Sequence, residues 1–167
     1  KGVTGTRIRY WADTQIFTKD ATFAVAELEQ RARQTAFLVP GLEIVIRDQR
    51  GEEPRETSFR YDGGISEFAE FLAPDAPVTD TWRLQGEGTF TETVPVLQPT
   101  GAMVPTEVER TCEVDVAVRW GTGYETVGRS FVNIIATPKG GTHQQGFEQG
   151  LLKVVRAQIE ANSRRLK

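Results

Sequence analysis

The residues best placed to do chemistry form one short run, Lys139-Gly140-Gly141-Thr142-His143. Two glycines opening a helix leave backbone N–H groups unpaired and pointing outward, a geometry that suits an anion. The run has neither the G-x-x-x-x-G-K-[ST] spacing of a P-loop nor the G-x-G-x-x-G of a dinucleotide fold, and a tight turn before a helix is its commoner use. His143, the single histidine, could act as a general base. No serine or cysteine nucleophile with a supporting acid stands beside it in the sequence, so a local hydrogen bond in the first helical turn is the simpler role. Cys112, the single cysteine, alternates with valines and reads as a small core residue. Asp13, Asp48, Asp62 and Asp115 are scattered over turns and a strand, without the pairing that glycosidase or metal chemistry needs. One cysteine and one histidine also exclude an internal disulfide framework and a His/Cys zinc cluster.

Basic residues are the other candidates. Lys153, Arg156, Arg164 and Arg165 decorate the last predicted helix, where a solvated face with cations at the negative helix pole competes with a nucleic-acid contact. Arg7 and Arg9 share one side of the first predicted strand, and a cross-strand acid would answer them. The whole chain carries 20 Lys+Arg against 23 Asp+Glu, net −3, which argues against a stand-alone nucleic-acid binder. A length of 167 residues, 38% hydrophobic and 26% charged, fits one globular domain rather than a disordered chain. No apolar run nears the roughly 20 residues of a membrane span, so no membrane partner and a cytoplasmic location are expected.

The elements that must position these residues follow from periodicity. Residues 5–11 alternate and read as a strand. Asp20 is expected to cap a helix over 21–38, with Ala21, Ala24, Val25, Leu28, Ala32 and Ala36 on its buried face, ended by Pro40-Gly41. Leu42, Ile44 and Ile46 alternate in a strand that pairs with 56–61 across a polar turn. Ile65, Phe68, Ala69 and Leu72 mark a short helix before Pro74. Gly86, Gly88, Pro95, Pro99, Gly101 and Pro105 interrupt any long regular element, so 86–107 is expected to be an exposed peripheral insertion. Residues 108–120 alternate strongly and are expected to form a hairpin with 125–136 across Gly121-Thr122-Gly123. Thr142 and Gln145 have capping-box spacing for a last helix whose apolar face is Phe147, Leu151, Val154, Val155 and Ile159. The order β-α-β-β-α-β-β-β-α suggests an α+β domain, a mixed sheet with helices packed on one face.

Several segments in this order resemble one family. They are Gly5-Thr6 with Trp11-Ala12-Asp13 and Ile16-Phe17, Arg31-Ala32-Arg33 with Ala36-Phe37-Leu38, and Tyr61-Asp62-Gly63-Gly64-Ile65. Ala117-Val118-Arg119-Trp120 with Gly123-Tyr124, Ser130-Phe131-Val132-Asn133, and Gly140-Gly141-Thr142-His143 with Gly146-Phe147 continue the series. Together they resemble the transducer domain of bacterial type IIA topoisomerase B subunits, the ATPase subunits of DNA gyrase and topoisomerase IV. The likeness covers nearly the whole chain except 86–107. It implies a single transducer domain over 1–167, with a fold similar to the second domain of ribosomal protein S5 and a left-handed βαβ crossover. It also implies coupling of ATP-driven homodimerisation to capture and strand passage of duplex DNA, beside a topoisomerase A subunit.

The resemblance places ATP and magnesium in a domain that would precede Lys1, and the γ-phosphate-sensing lysine in a Gln-Thr-Lys loop that would follow Lys167. Gln34-Thr35 is followed by Ala36 and is not that loop. No catalytic or cofactor residue is therefore expected within 1–167, and the chain alone is expected to be inactive. Many relatives carry arginine after the Gly-Phe pair, facing the DNA cavity; Glu148 stands there in this chain. The second basic position is kept as Lys153, so Lys153, Arg156 and Lys139 are the DNA-facing candidates, with Glu148 opposing them. The Val39-Pro40 junction, without asparagine, leans toward topoisomerase IV. The rival readings are an independent enzyme binding a phosphate at residues 140–142 and a small RNA- or protein-binding module of related α+β fold.

Overall fold

The computed structural model describes residues 5, 13, 15–18, 20–73 and 75–163, so the strand expected at 5–11 falls almost wholly outside the described residues, as do Pro74 and Arg164–Lys167. The described chain is α+β, with three helices and three two-stranded antiparallel sheets. Its elements are α1 (Val25–Leu38), β1 (Ile44–Asp48), β2 (Arg55–Phe59), α2 (Ile65–Leu72), β3 (Trp82–Leu97), β4 (Met103–Val118), β5 (Phe131–Val132), β6 (Ile135–Ala136) and α3 (Thr142–Ala161). The single mixed sheet expected from the sequence is not formed among the described residues.

The core lies between α1, the β1–β2 hairpin and α2. Ala32, Ala36 and Phe59 form its centre, with Ile44, Ile46 and Tyr61 packed around them. Small alanines on α1 let the helix approach the hairpin closely, and Phe37 on the next position fills the space toward α2. β1 and β2 pair from Ile44↔Phe59 to Asp48↔Arg55, and the alternation in β1 puts Ile44 and Ile46 inward as expected. The start of α1 differs. The helix begins at Val25 with Ala24 as N-cap and no side-chain cap, and Asp20 sits in the preceding turn bonded to Thr18. Leu28, expected in the core, is 40% exposed.

The Tyr61-Asp62-Gly63-Gly64 motif is the joint between α1 and α2. Tyr61 stacks on Phe37 with ring centroids 3.6 Å apart, and the Tyr61 carbonyl accepts from the Gly41 N–H at 3.0 Å. Gly64, the N-cap of α2, has φ +65°, and a Cβ there would meet Pro40 Cγ at 2.8 Å. Only glycine satisfies both demands without strain. The Glu67 carboxylate accepts from the Gly63 N–H at 2.9 Å, which satisfies a donor at the helix start.

β3 and β4 form one continuous ladder from Trp82↔Val118 to Leu97↔Met103. This corrects two expectations: 86–107 is not irregular, and 108–120 pairs with 82–97 rather than with 125–136. Cross-strand β-branched residues (Thr89 with Thr111, Val96 with Val104) supply strand propensity that offsets Gly86 and Gly88. Pro95 and Pro105 are tolerated because they oppose each other in a ribbon with two open edges. Pro99 and Gly101 make the turn, closed by Gly101 N–H to the Gln98 carbonyl at 2.8 Å. Side chains of even number in both strands share one face, so Leu84, Phe90, Val94, Val96, Val104, Val108, Val114 and Val116 make it apolar. Cys112 lies on that face but is exposed, which corrects the core reading.

In place of the expected strand over 125–136, β5 and β6 form a two-residue hairpin. Asn133 and Ile134 turn it with φ 48° and 66°. The accessible surface of 14702 Å² far exceeds the about 8,200 Å² typical of a compact monomer of 18.6 kDa. Large exposed hydrophobics occur on the β3–β4 ribbon, between 120 and 135 and on α3.

Candidate functional site

The glycine-rich run that opens α3 is locked to the β5–β6 hairpin. Ser130 Oγ lies 2.6 Å from Thr137 Oγ1, 3.2 Å from the Thr137 carbonyl oxygen and 3.3 Å from Gln144 Oε1. Thr137 Oγ1 lies 3.3 Å from His143 Nε2, and the Thr137 N–H donates to the Ser130 carbonyl at 2.8 Å. Gln144 Nε2 donates onward to the Glu148 carboxylate at 2.9 Å. A network in which each member is held by another fixes the helix start more firmly than any single bond.

Gly140 has φ +72°, and its N–H donates to the Thr137 carbonyl at 2.8 Å. That donor faces the hairpin and is not offered to an anion, and the His143 ring is engaged by Thr137. The run holds the foot of α3 against the hairpin, and His143 makes a local hydrogen-bond contact with Thr137. The capping box is not formed: Gly141 is the N-cap, Thr142 is the first helical residue and no side chain caps the end.

α3 carries the basic candidates. At about 100° per residue, Phe147, Leu151, Val154 and Val155 cluster on one face, while Gln149, Lys153, Arg156 and Glu160 lie on the opposite one. Lys153 and Arg156 line one shallow depression with Gln149, Leu152, Ala157 and Glu160. Neither cation has an ion pair among the described residues. Lys139 sits about three helical turns away from Lys153, in the turn before Gly140, and the structure does not bring it to them. Glu148 stands about 140° round the helix from Lys153 and about 80° from Arg156, and its carboxylate accepts from Gln144.

The apolar face of α3 is not packed on a sheet. Phe147 and Leu151 are half-buried, while Val154, Val155 and Ile159 are 60%, 43% and 53% exposed. Gly146 and Gly150 face open space. Among the described residues no cluster of three or more His, Cys, Asp or Glu could hold a metal ion. No helix is long and apolar enough to cross a membrane.

Sequence reasoning missed Ser130 and Thr137 as the partners of the glycine run. Both were legible only as hydroxyl residues flanking an apolar stretch, without a signal that they would meet. The segment from Gly64 onward, which contains α2, the hydroxyl network and α3, matches the family model described as DNA gyrase B over residues 64–167.

The chain belongs to the DNA gyrase B family. It is 35% identical over 154 residues to the DNA gyrase B protein of Staphylococcus aureus, covering 91% of this chain and 21% of that protein. The corresponding gyrase B protein of Staphylococcus epidermidis is 33% identical over 153 residues, again 91% of this chain and 21% of the relative. The chain thus spans about a fifth of the length of the gyrase B relatives it matches. Tyr61–Gly64 joins α1 to α2, and Gly140–Phe147 runs from the turn after β6 into α3.

Proposed function

We propose that this chain is the transducer region of a type IIA topoisomerase B subunit and couples ATP-driven closure of a homodimer to capture and passage of a DNA duplex. The observation that carries the reading is α3: a clamped foot, an apolar face on one side, and Lys153 with Arg156 unpaired on the other. A helix held at one end by a hydrogen-bonded network can move as a rigid lever while presenting its cations to phosphates. Such contacts are independent of base sequence, as a passing duplex requires.

In this reading the separate small sheets join in the intact protein into an S5-like mixed sheet with a left-handed crossover, and residues 1–167 form one domain. ATP and magnesium belong to a domain outside this chain, which neither binds nor hydrolyses nucleotide alone. A second copy of the B subunit, a topoisomerase A subunit and duplex DNA are its partners, in the cytoplasm. Family membership supports a gyrase assembly; topoisomerase IV, toward which the Val39-Pro40 junction leans, is told from it by decatenation against supercoiling in the full enzyme.

The test is Lys153→Glu in the full-length protein. Strand passage should fall several-fold while DNA-independent ATP hydrolysis stays unchanged. Reduced hydrolysis with an unchanged number of passages per ATP would instead put Lys153 in the coupling path and refute the DNA contact.

A further inference from the structure

We propose that the outer edge of β4 between Glu107 and Glu113 docks a protein segment in extended conformation whose side chains alternate between basic and apolar. The ribbon of 16 residues in each strand is about 50 Å long. The stretch from Glu107 to Glu113, in the middle of β4, is exposed at every position but Val108. Its apolar face is open there, with Phe90, opposite Arg110, 52% exposed and Val114 50% exposed.

The register shows which backbone groups are free. Pro95 and Pro105 oppose each other and neither has an N–H, so theirs is a pair without ladder hydrogen bonds. Alternation from that pair directs the backbone N–H and C=O of Glu107, Glu109, Thr111 and Glu113 outward. Pro105 itself blocks pairing toward the tip, which confines a docked strand to residues nearer the base.

Charge decides the occupant. Residues 86–113 hold five glutamates and one arginine. That arginine, Arg110, pairs with Glu92 on the apolar face at 3.4 Å. Glu87, Glu107, Glu109 and Glu113 share the other face with no ion pair among the described residues, and Glu87 directly opposes Glu113. Like charges opposed across a ladder are destabilising, and a cation on an added strand reverses the sign. The outward positions across on β3 are Thr89, Thr91 and Thr93, which selects the β4 edge. A strand added there places its basic residues over Glu107, Glu109 and Glu113 and its apolar residues beside Val108, Cys112 and Val114. Nucleic acid is repelled by the same carboxylates.

The experiment uses the full-length protein and a short fluorescein-labelled peptide of alternating lysine and valine, against one with the same residues in two blocks. The alternating peptide should bind about tenfold more tightly or better. Combined Glu107→Lys, Glu109→Lys and Glu113→Lys should abolish that preference. Thr111→Pro, which removes an outward donor and keeps every carboxylate, should weaken binding to a similar extent. Equal binding of the two peptides, or full binding by Thr111→Pro, would overturn strand addition in favour of diffuse charge attraction. Competition by duplex DNA at this edge, lost in the charge-reversed variant, would overturn the protein partner. If Thr111→Pro does not fold, the charge-reversed variant decides the matter, since it leaves the backbone unchanged.

Discussion

Tyr61 lies flat on Phe37, with ring centroids 3.6 Å apart and planes inclined by 16°. Phe37 also stacks on Phe68 at 4.8 Å, so one buried ring joins the end of α1, the Tyr-Asp-Gly-Gly joint and α2. Phe37 is 1% exposed, and Phe37→Ala should cost about 3–5 kcal/mol in urea unfolding. Phe147→Ala, at the half-buried foot of α3, should cost less than half of that. An equal cost for both would show that the apolar face of α3 is packed.

Backbone geometry predicts two substitutions of opposite sign. Gly64→Ala forces a side chain onto φ +65° and into Pro40, and should destabilise by about 1–3 kcal/mol. Ile134→Gly relieves a β-branched residue at φ 66° in a two-residue hairpin turn, where Asn-Gly is the favoured pair. It should stabilise by about 1 kcal/mol, read as a shift in the urea midpoint at unchanged slope.

Stability should fall in acid for an identifiable reason. The Arg50 side chain and backbone N–H hold the Asp48 carboxyl down at about 2, and the Arg83 fork lowers Asp115 in the same direction. A carboxyl depressed in the folded state contributes stability above its unfolded pKa, about 3.9, and loses it as pH falls through the folded value. Urea midpoints should be level above pH about 5 and decline toward pH about 2. Asp48→Asn combined with Asp115→Asn should flatten that decline. An unchanged acid slope in the double variant would assign it to other carboxylates.

Amide exchange along β4 should alternate. Val108, Arg110 and Cys112 donate into the ladder, whereas the Glu107, Glu109 and Thr111 amides point outward, so the first group should exchange more slowly. Uniformly fast exchange would mean that the ribbon is not paired in solution. Limited proteolysis should cut first in the 98–102 turn, leaving two fragments held by the ladder.

Periodicity alone made the β1–β2 hairpin legible, because Ile44 and Ile46 alternate with polar neighbours and one register buries both. The short helix at Ile65–Leu72 was equally legible from its stripe and the proline beyond it. The ordered motifs placed the family, since Tyr61–Gly64 and Gly140–Phe147 are joints whose geometry admits few residues. What the sequence could not settle was partner choice among strands. Residues 108–120 alternate well enough to pair with either 82–97 or 125–136, and periodicity scores both alike. The long ladder formed because Thr and Val at matched positions compensate glycines, and because two prolines opposed in register cost no hydrogen bond. The hydroxyl network of Ser130, Thr137 and Gln144 was invisible for a similar reason: its members are brought together by a turn at Asn133-Ile134, which no local pattern announces. Charge composition fixed what α3 could carry, but only the helical phase, with Glu148 about 140° from Lys153, decided which side chains share a face.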